Sequence, residues 1–411
     1  MSFFRTAIVS ITLFVSALGG ASSALAAGGW ELQSAPLGRA VALSPAAVNA
    51  HALSLQQTPP AVGARWSIPL PEGWTDWRTT SVSYQDDGGF RWQGKALDND
   101  AHQAVLVSHR GALSGVIWTR HGHYEVASDA EGSLLLTLDD SLYPGCAGGD
   151  GEDATHLHSP VTSAATSPAP TTGSGQQIDV LIVYTSQARD AAGGEAQIEA
   201  VSQAAVDAAN LAFDNSQVLA HLNLVGTRLT SRSDSGNSST DLSWLSSDAT
   251  VAQWRDELGA DMVALIADDI GNTCGKGYVM RNVGSAFSAS AFQVTARSCA
   301  VGNLSYAHEH GHNLGLEHDP ANGTTASGAS YPWSFGHVVD GNYRTLMSYS
   351  TECTSGCTRL PYFSNPNVNV NGQPSGIANQ RDNARTLNSV VATVAAFRDS
   401  VQAELFADGF E

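Results

Sequence analysis

Positive charge is scarce in this chain, whose 411 residues carry 20 Lys and Arg against 39 Asp and Glu, a net charge of -19. A surface of that sign repels nucleic acid and anionic lipid at long range, which argues against polyanionic partners. Cysteine is scarce too: five in a chain of this length exclude a small disulfide-stapled scaffold, and the length allows two or three units each with its own core. No solenoid-type repeat is present. The scattered acidic residues form no recognisable calcium loop, so calcium stays an open question, as does oligomeric state. Only one long apolar run exists, at 7–18, and it is shorter than the roughly 20 residues that span a bilayer.

That run follows Arg5 and leads to Ala24-Leu25-Ala26, an A-x-A-like cleavage site, so residues 1–26 read as a signal peptide. The expected mature form has no membrane span and is secreted, extracellular or, in a bacterium, periplasmic. In such an oxidising setting Cys274, Cys299, Cys353 and Cys357 read as two disulfides. The simplest pairing is Cys274 with Cys299 and Cys353 with Cys357, although four cysteines allow three connectivities. Cys146 is left over, far upstream, in a glycine-flanked loop that could bring a thiolate to a metal.

Residues 159–177 are rich in Pro, Ser and Thr without apolar periodicity and read as a linker. Before it, residues 27–158 show short apolar runs at 104–108, 115–118 and 133–138 separated by Gly, Asp and Asn, as in a mostly β domain; with Cys146 this suggests an inhibitory propeptide. After it, residues 178–400 open with an apolar strand at 178–184, followed by a helix near 195–214, a strand near 221–229, a short helix near 249–258 and a strand at 262–267. Strand and helix alternate, which predicts an α/β domain with a twisted mixed sheet and parallel neighbours. A last helix is expected near 379–398, then an acidic, aromatic tail at 401–411.

The chemistry is concentrated in His308-Glu309-His310-Gly311-His312-Asn313-Leu314-Gly315-Leu316-Glu317-His318. On a helix at 302–315, His308 and His312 are four apart and share a face, and Gly315 permits the left-handed turn that brings His318 back to them. Three neutral imidazoles and one water make the open tetrahedral site of a catalytic zinc, with Glu309 placed as general base. His310 points to the far side and is excluded as a ligand. By residue frequencies a bare HExxH arises by chance in roughly one chain per hundred of this length, and the extended motif in the order of one per hundred thousand.

With that motif the chain resembles the metzincins, and among them the reprolysin or adamalysin-like branch, in which an Asp follows the third histidine as Asp319 does here. The resemblance covers roughly residues 176–400 and implies a metzincin-like α/β (α+β) catalytic domain built on an active-site helix. It further implies one catalytic Zn2+, protein or peptide substrates and endopeptidase activity. Thr345-Leu346-Met347-Ser348-Tyr349 looks like the Met-turn, with Met347 beneath the metal and 29 residues after His318. Asp319 is expected near that turn, off the metal. Tyr349 departs from the branch and is similar to the astacin and serralysin tyrosine that can touch metal or intermediate; a buried structural role is the alternative. The segment at 284–291, starting Gly284, Ser285, Ala286, occupies the place of the substrate-pairing edge strand, and 359–366 that of a pocket wall whose aromatics suggest an apolar preference. Cys146 fits a cysteine switch, although the family's usual switch sequence is not matched. Two other functions remain open at this point: a zinc amidase acting on cell-wall peptide, which casein digestion would separate, and a secreted binding protein with structural zinc, for which Glu309→Ala would change nothing.

Overall fold

The computed structural model describes residues 30–147 and 176–401; the expected signal peptide, the stretch 148–175 that holds nearly all of the linker, and the tail after 401 lie outside the described residues. Residues 30–138 form nine strands: β1 (Trp30–Ser34), then helix α1 (Leu37–Leu43), β2 (Ala47–Leu55), β3 (Arg65–Leu70), β4 (Gly73–Tyr84), β5 (Phe90–Ala96), β6 (Gln103–His109), β7 (Ala112–Trp118), β8 (His123–Asp129) and β9 (Gly132–Leu138). They make one antiparallel sheet in the order β1-β2-β9-β8-β7-β6-β5-β4-β3. Its hairpins follow from local chemistry: Arg110 and Gly111, both at positive φ (47° and 85°), join β6 to β7 as a primed two-residue turn that matches strand twist. The sheet curls until Trp30 of β1 meets Trp66 of β3, ring centroids 5.1 Å apart, and its barrel-like interior is filled by Trp66, Trp77, Trp92 and Tyr124.

Strands β6 and β7 are apolar on both faces, which explains their continuous apolar runs. Ala104, Leu106 and Ile117 face the barrel, whereas Val105, Val107, Val116 and Trp118 join the core of the second domain. Burying those four side chains is worth roughly 1.5–3 kcal/mol each before ordering costs. They meet the small residues of the long helix α3 (Glu195–Asn215), and at the rim Arg91 pairs with Asp207 and His109 with Glu199.

The second domain is a five-stranded sheet, β11-β10-β12-β14-β13, built from β10 (Gln176–Tyr184), β11 (Ala220–Leu229), β12 (Met262–Ala267), β13 (Gly275–Gly277) and β14 (Phe292–Ala296). All neighbours run parallel except β13, which is antiparallel to β14. Ile178, Val180 and Ile182 face α3, α6 (Ser305–Asn313) and α7 (Asn383–Val394), while Leu181 and Val183 face α4 (Ser238–Ser247) and α5 (Ala249–Glu257). Both faces are therefore covered, as a parallel sheet requires. The architecture is an antiparallel β domain followed by a mixed α/β domain.

The expected edge strand at Gly284, Ser285 and Ala286 is corrected: Ser285–Ser290 is a 3-10 helix, and the edge is β13. Alternating Ser and Ala offer neither the β-branched side chains nor the apolar face of a strand. Gly275–Gly277 takes the position because the Cys274–Cys299 disulfide fastens its base beside β14. A second disulfide joins Cys353 and Cys357, and Cys146 is free.

Candidate active site

Helix α6 starts after Leu304, which takes a left-handed conformation (φ 58°), and is closed two residues past its last residue, Asn313, by Gly315 (φ 83°). There the Leu316 N–H bonds back to the Gly311 carbonyl at 2.9 Å, a closure available to glycine and costly for a residue with a Cβ. The reversal brings His318 to the helix: its Nε2 lies 3.1 Å from His308 Nε2 and 3.0 Å from His312 Nε2. Each ring's Nδ1 faces a backbone carbonyl, Leu346 at 2.9 Å, Leu316 at 2.8 Å and Asn322 at 3.2 Å. A carbonyl only accepts, so each Nδ1 holds the proton and each Nε2 presents a lone pair. Burial lowers the pKa of all three rings, which keeps them neutral. Three lone pairs converging at 3 Å with no proton between them repel one another, and a cation is the group that resolves the conflict. The donor set fits zinc.

Glu309 is fully buried beside this cluster, and burial pushes its carboxyl up to about 8, a tendency that a dication at the histidines opposes. Strand β13 passes directly over it: a Cβ on Gly275 would stand 2.5 Å from Glu309 Oε1, and one on Gly277 2.8 Å from the Glu309 carbonyl oxygen. Met347 lies under the helix, where a Cβ on Gly311 would be 2.6 Å from its sulfur. Asp319 touches no ligand position; its Oδ2 accepts the Tyr349 N–H at 3.0 Å. The Tyr349 ring sits 4.4 Å from that of His318. His310 faces away, buried against Tyr306, with its pKa lowered by burial to about 3.

The fourth side of the cluster is closed by the N-terminal domain. Cys146 Sγ is 3.9 Å from His312 Nε2, and the four candidate ligand atoms lie within 4.8 Å of one another. The segment carrying Cys146 runs along β13 and its approach, with Ala147 N–H on the Gly275 carbonyl at 2.9 Å and Cys274 N–H on the Gly145 carbonyl at 3.0 Å. The Tyr349 hydroxyl donates to the Cys146 carbonyl at 3.0 Å.

Two site features escape a reading of the sequence. Gly275 and Gly277 are needed because a strand crosses a carboxylate there, and their only signal is the spacing Gly-Lys-Gly. Arg344 and Arg359 are buried cross-strand partners on β16 (Tyr343–Arg344) and β17 (Thr358–Arg359), where a two-residue β15 (Val338–Val339) completes a small sheet. Both donate to the Ser348 carbonyl, one residue past Met347, at 2.8 and 3.2 Å. The aromatics expected to line a pocket at 359–366 point elsewhere: Tyr362 receives a bond from Gln103, and Phe363 stacks on Phe213.

A helix-borne pair of histidines, a third from the following turn and a buried glutamate beside them, under the edge of a mixed sheet, define a metallopeptidase. Residues 174–364 match the family model described as Metallo-peptidase family M12. A peptidyl-Asp metalloendopeptidase of Stenotrophomonas maltophilia is 32% identical over 346 residues, covering 78% of this chain and 79% of the relative. One of Xanthomonas campestris is 32% identical over 303 residues, covering 72% and 70%. The crystal structure of metalloproteinase-II from Bacteroides fragilis is a looser likeness, at 11% identity and a TM-score of 0.40 over 66% of this chain and 86% of that one. The chain belongs to the M12 metallopeptidases and is a metalloendopeptidase. Among the described residues no helix is long and apolar enough to cross a membrane.

Proposed function

We propose that this protein is a secreted zinc endopeptidase made as a latent precursor, in which residues 27–158 are the inhibitory propeptide and 178–400 the enzyme, and which cleaves beside aspartate. The observation that carries the latency is Cys146 completing a four-ligand cluster with His308, His312 and His318 from a segment that also pairs with the edge strand. The two disulfides and the expected signal peptide at 1–26 support export, and the relatives' names support the substrate class.

His308, His312 and His318 would hold one zinc ion through their Nε2 atoms, and it would supply a Lewis acid that lowers the pKa of water toward neutrality and polarises the peptide carbonyl. The protein supplies the rest. The substrate backbone takes the place of residues 145–147 along β13, pairing with the Gly275 carbonyl and the Cys274 N–H. Glu309, under that strand, accepts the proton of the attacking water and passes it to the leaving amine. The Tyr349 hydroxyl, freed from the Cys146 carbonyl, donates to the substrate carbonyl in its stead. Met347 and Asp319 position, and the carbonyls of Leu346, Leu316 and Asn322 hold the imidazole tautomers.

The test is the purified precursor carrying Cys146→Ser, assayed on a peptide with one aspartate and on its asparagine twin. Partial activity without processing, confined to the aspartyl peptide and below that of the processed enzyme because residues 145–147 still lie along β13, is expected; unchanged latency would remove the cysteine from the mechanism, and equal cleavage of the twins would remove the aspartate preference.

A further inference from the structure

Arg344 and Arg359 pose a problem that the catalytic machinery leaves unsolved. They are 3% and 7% exposed, neighbours in register on β16 and β17, and like charges side by side are unfavourable even in water. Burial and mutual repulsion lower the pKa of Arg344 to about 9, which leaves it charged at neutral pH. Their bonds go to backbone carbonyls, Ser348 for both and Asn303 for Arg359. The Nε of each is buried without a partner among the described residues. Arg359 stands close enough to the metal site that its charge is felt at His308, Glu309 and Tyr349.

The nearest answer to this positive charge comes from the other domain. Asp140 Oδ2 accepts the Arg359 N–H at 3.0 Å, and its Oδ1 is fixed by His123 Nδ1 at 2.7 Å. Burial alone would raise this carboxyl, yet His123, Arg344 and the Arg359 N–H hold it down to about 2. Trp118, stacked on His123, covers the place and bonds the Arg359 carbonyl at 3.2 Å. Five residues separate Asp140 from Cys146. One short segment thus sets a thiol at the three histidines and a carboxylate on the main-chain N–H of Arg359, within reach of the charge of both guanidinium groups but in ion-pair contact with neither.

We infer that Arg359, with Arg344 behind it, is the receptor for the acidic side chain beside the scissile bond, and that Asp140 occupies that receptor in the precursor as a substrate aspartate does in the active enzyme. This rests on the aspartate preference proposed above. When the N-terminal domain leaves, the main-chain N–H of Arg359 loses its acceptor beside two buried guanidinium charges, and a carboxylate is the ligand that fits there: an ionised acceptor with two oxygens and no proton to give. Asparagine is nearly isosteric with aspartate but neutral, so it leaves the buried charge uncompensated.

The test uses the full chain activated by limited proteolysis, with paired peptides that differ only in Asp or Asn at one position, and zinc content measured in parallel. Arg359→Met is expected to reduce kcat/KM on the aspartyl peptide about 100-fold, to change the asparaginyl peptide little, and to leave zinc stoichiometric. Arg359→Lys should keep most of the preference. Binding of the product peptide that carries the aspartate, followed by anisotropy, should weaken in step with the loss of kcat/KM. An equal loss on both peptides in Arg359→Met would reduce the arginine to a prop for the Met-turn and overturn the assignment. Should that variant not fold, Arg344→Met carries the test: a fall in its Asp-to-Asn ratio is expected, and an unchanged ratio would also overturn the assignment. Absence of preference in the wild type is a separate outcome and defeats the underlying reading first.

Discussion

Replacing Gly275 by alanine isolates catalysis from folding at the edge strand. The new Cβ would stand 2.5 Å from Oε1, 2.7 Å from Cγ and 2.8 Å from Cδ of Glu309, where ordinary contacts are about 3.5–4.0 Å. Something must move by about 1 Å. The strand cannot, because Cys274 is tied to Cys299 and β13 is paired with β14. The carboxylate can, being the end of a flexible side chain. Gly275 is not at a positive φ, so alanine strains no backbone torsion. A 1 Å displacement of a reacting group costs on the order of 100-fold in rate. The expected outcome is therefore a fall of about 100-fold in kcat, with stoichiometric metal and a melting temperature within a few degrees of wild type. Steady-state kinetics on a fluorogenic peptide, metal analysis and a thermal melt decide it together. Wild-type kcat in a folded, metal-loaded Gly275→Ala would refute the claim that this glycine exists to make room for Glu309.

Other perturbations read different parts of the same arrangement. Glu309→Gln should lose turnover by several orders of magnitude and still hold its metal, whereas a chelator should abolish activity reversibly; metal loss in the variant would show that Glu309 helps to hold the ion. Glu125, buried beside Tyr143 and Gly302 where the domains meet, has its pKa raised by burial from 4.5 to about 7. A carboxyl raised in the folded state favours folding most below its unfolded pKa and loses that advantage as pH rises toward 7. Precursor stability should therefore fall by about 3 kcal/mol across that window. Glu125→Gln should flatten the pH dependence of the denaturation midpoint; an undiminished slope would place the titrating group elsewhere.

The parts of the fold that were legible are those whose pattern is local. The strand at Gln176–Tyr184 announces itself by the apolar run 180–184, and Glu195–Asn215 by apolar residues three and four apart. The edge strand was misplaced because Gly275–Gly277 has no apolar pattern at all; its position is fixed by a disulfide and by β14. The expected active-site helix, 302–315, is too long by three residues at its start and two at its end; nothing in Gly302-Asn303-Leu304 reveals that Leu304 turns left-handed.

The same division explains the site. His308, His312 and His318 fall within eleven residues, so helix periodicity and one glycine suffice to bring them together, and their chemistry can be read without knowing the fold. Asp140 and Arg359 meet across 219 positions, and Cys146 and His312 across 166. No periodicity encodes contacts of that separation; they arise because β6 and β7 are apolar on their outer face and dock on α3. That docking has a consequence for how the precursor is held. The thiol and the carboxylate reach the cleft on a segment anchored to a domain whose attachment surface, Val105, Val107, Val116 and Trp118, lies on strands of the barrel itself. Cutting the chain in the stretch 148–175 severs the covalent link and leaves every one of those contacts in place, so cleavage alone lowers the effective concentration of the inhibitor without breaking its interface. On the latency proposed above, full activity then requires the domain to dissociate or to be degraded after cleavage.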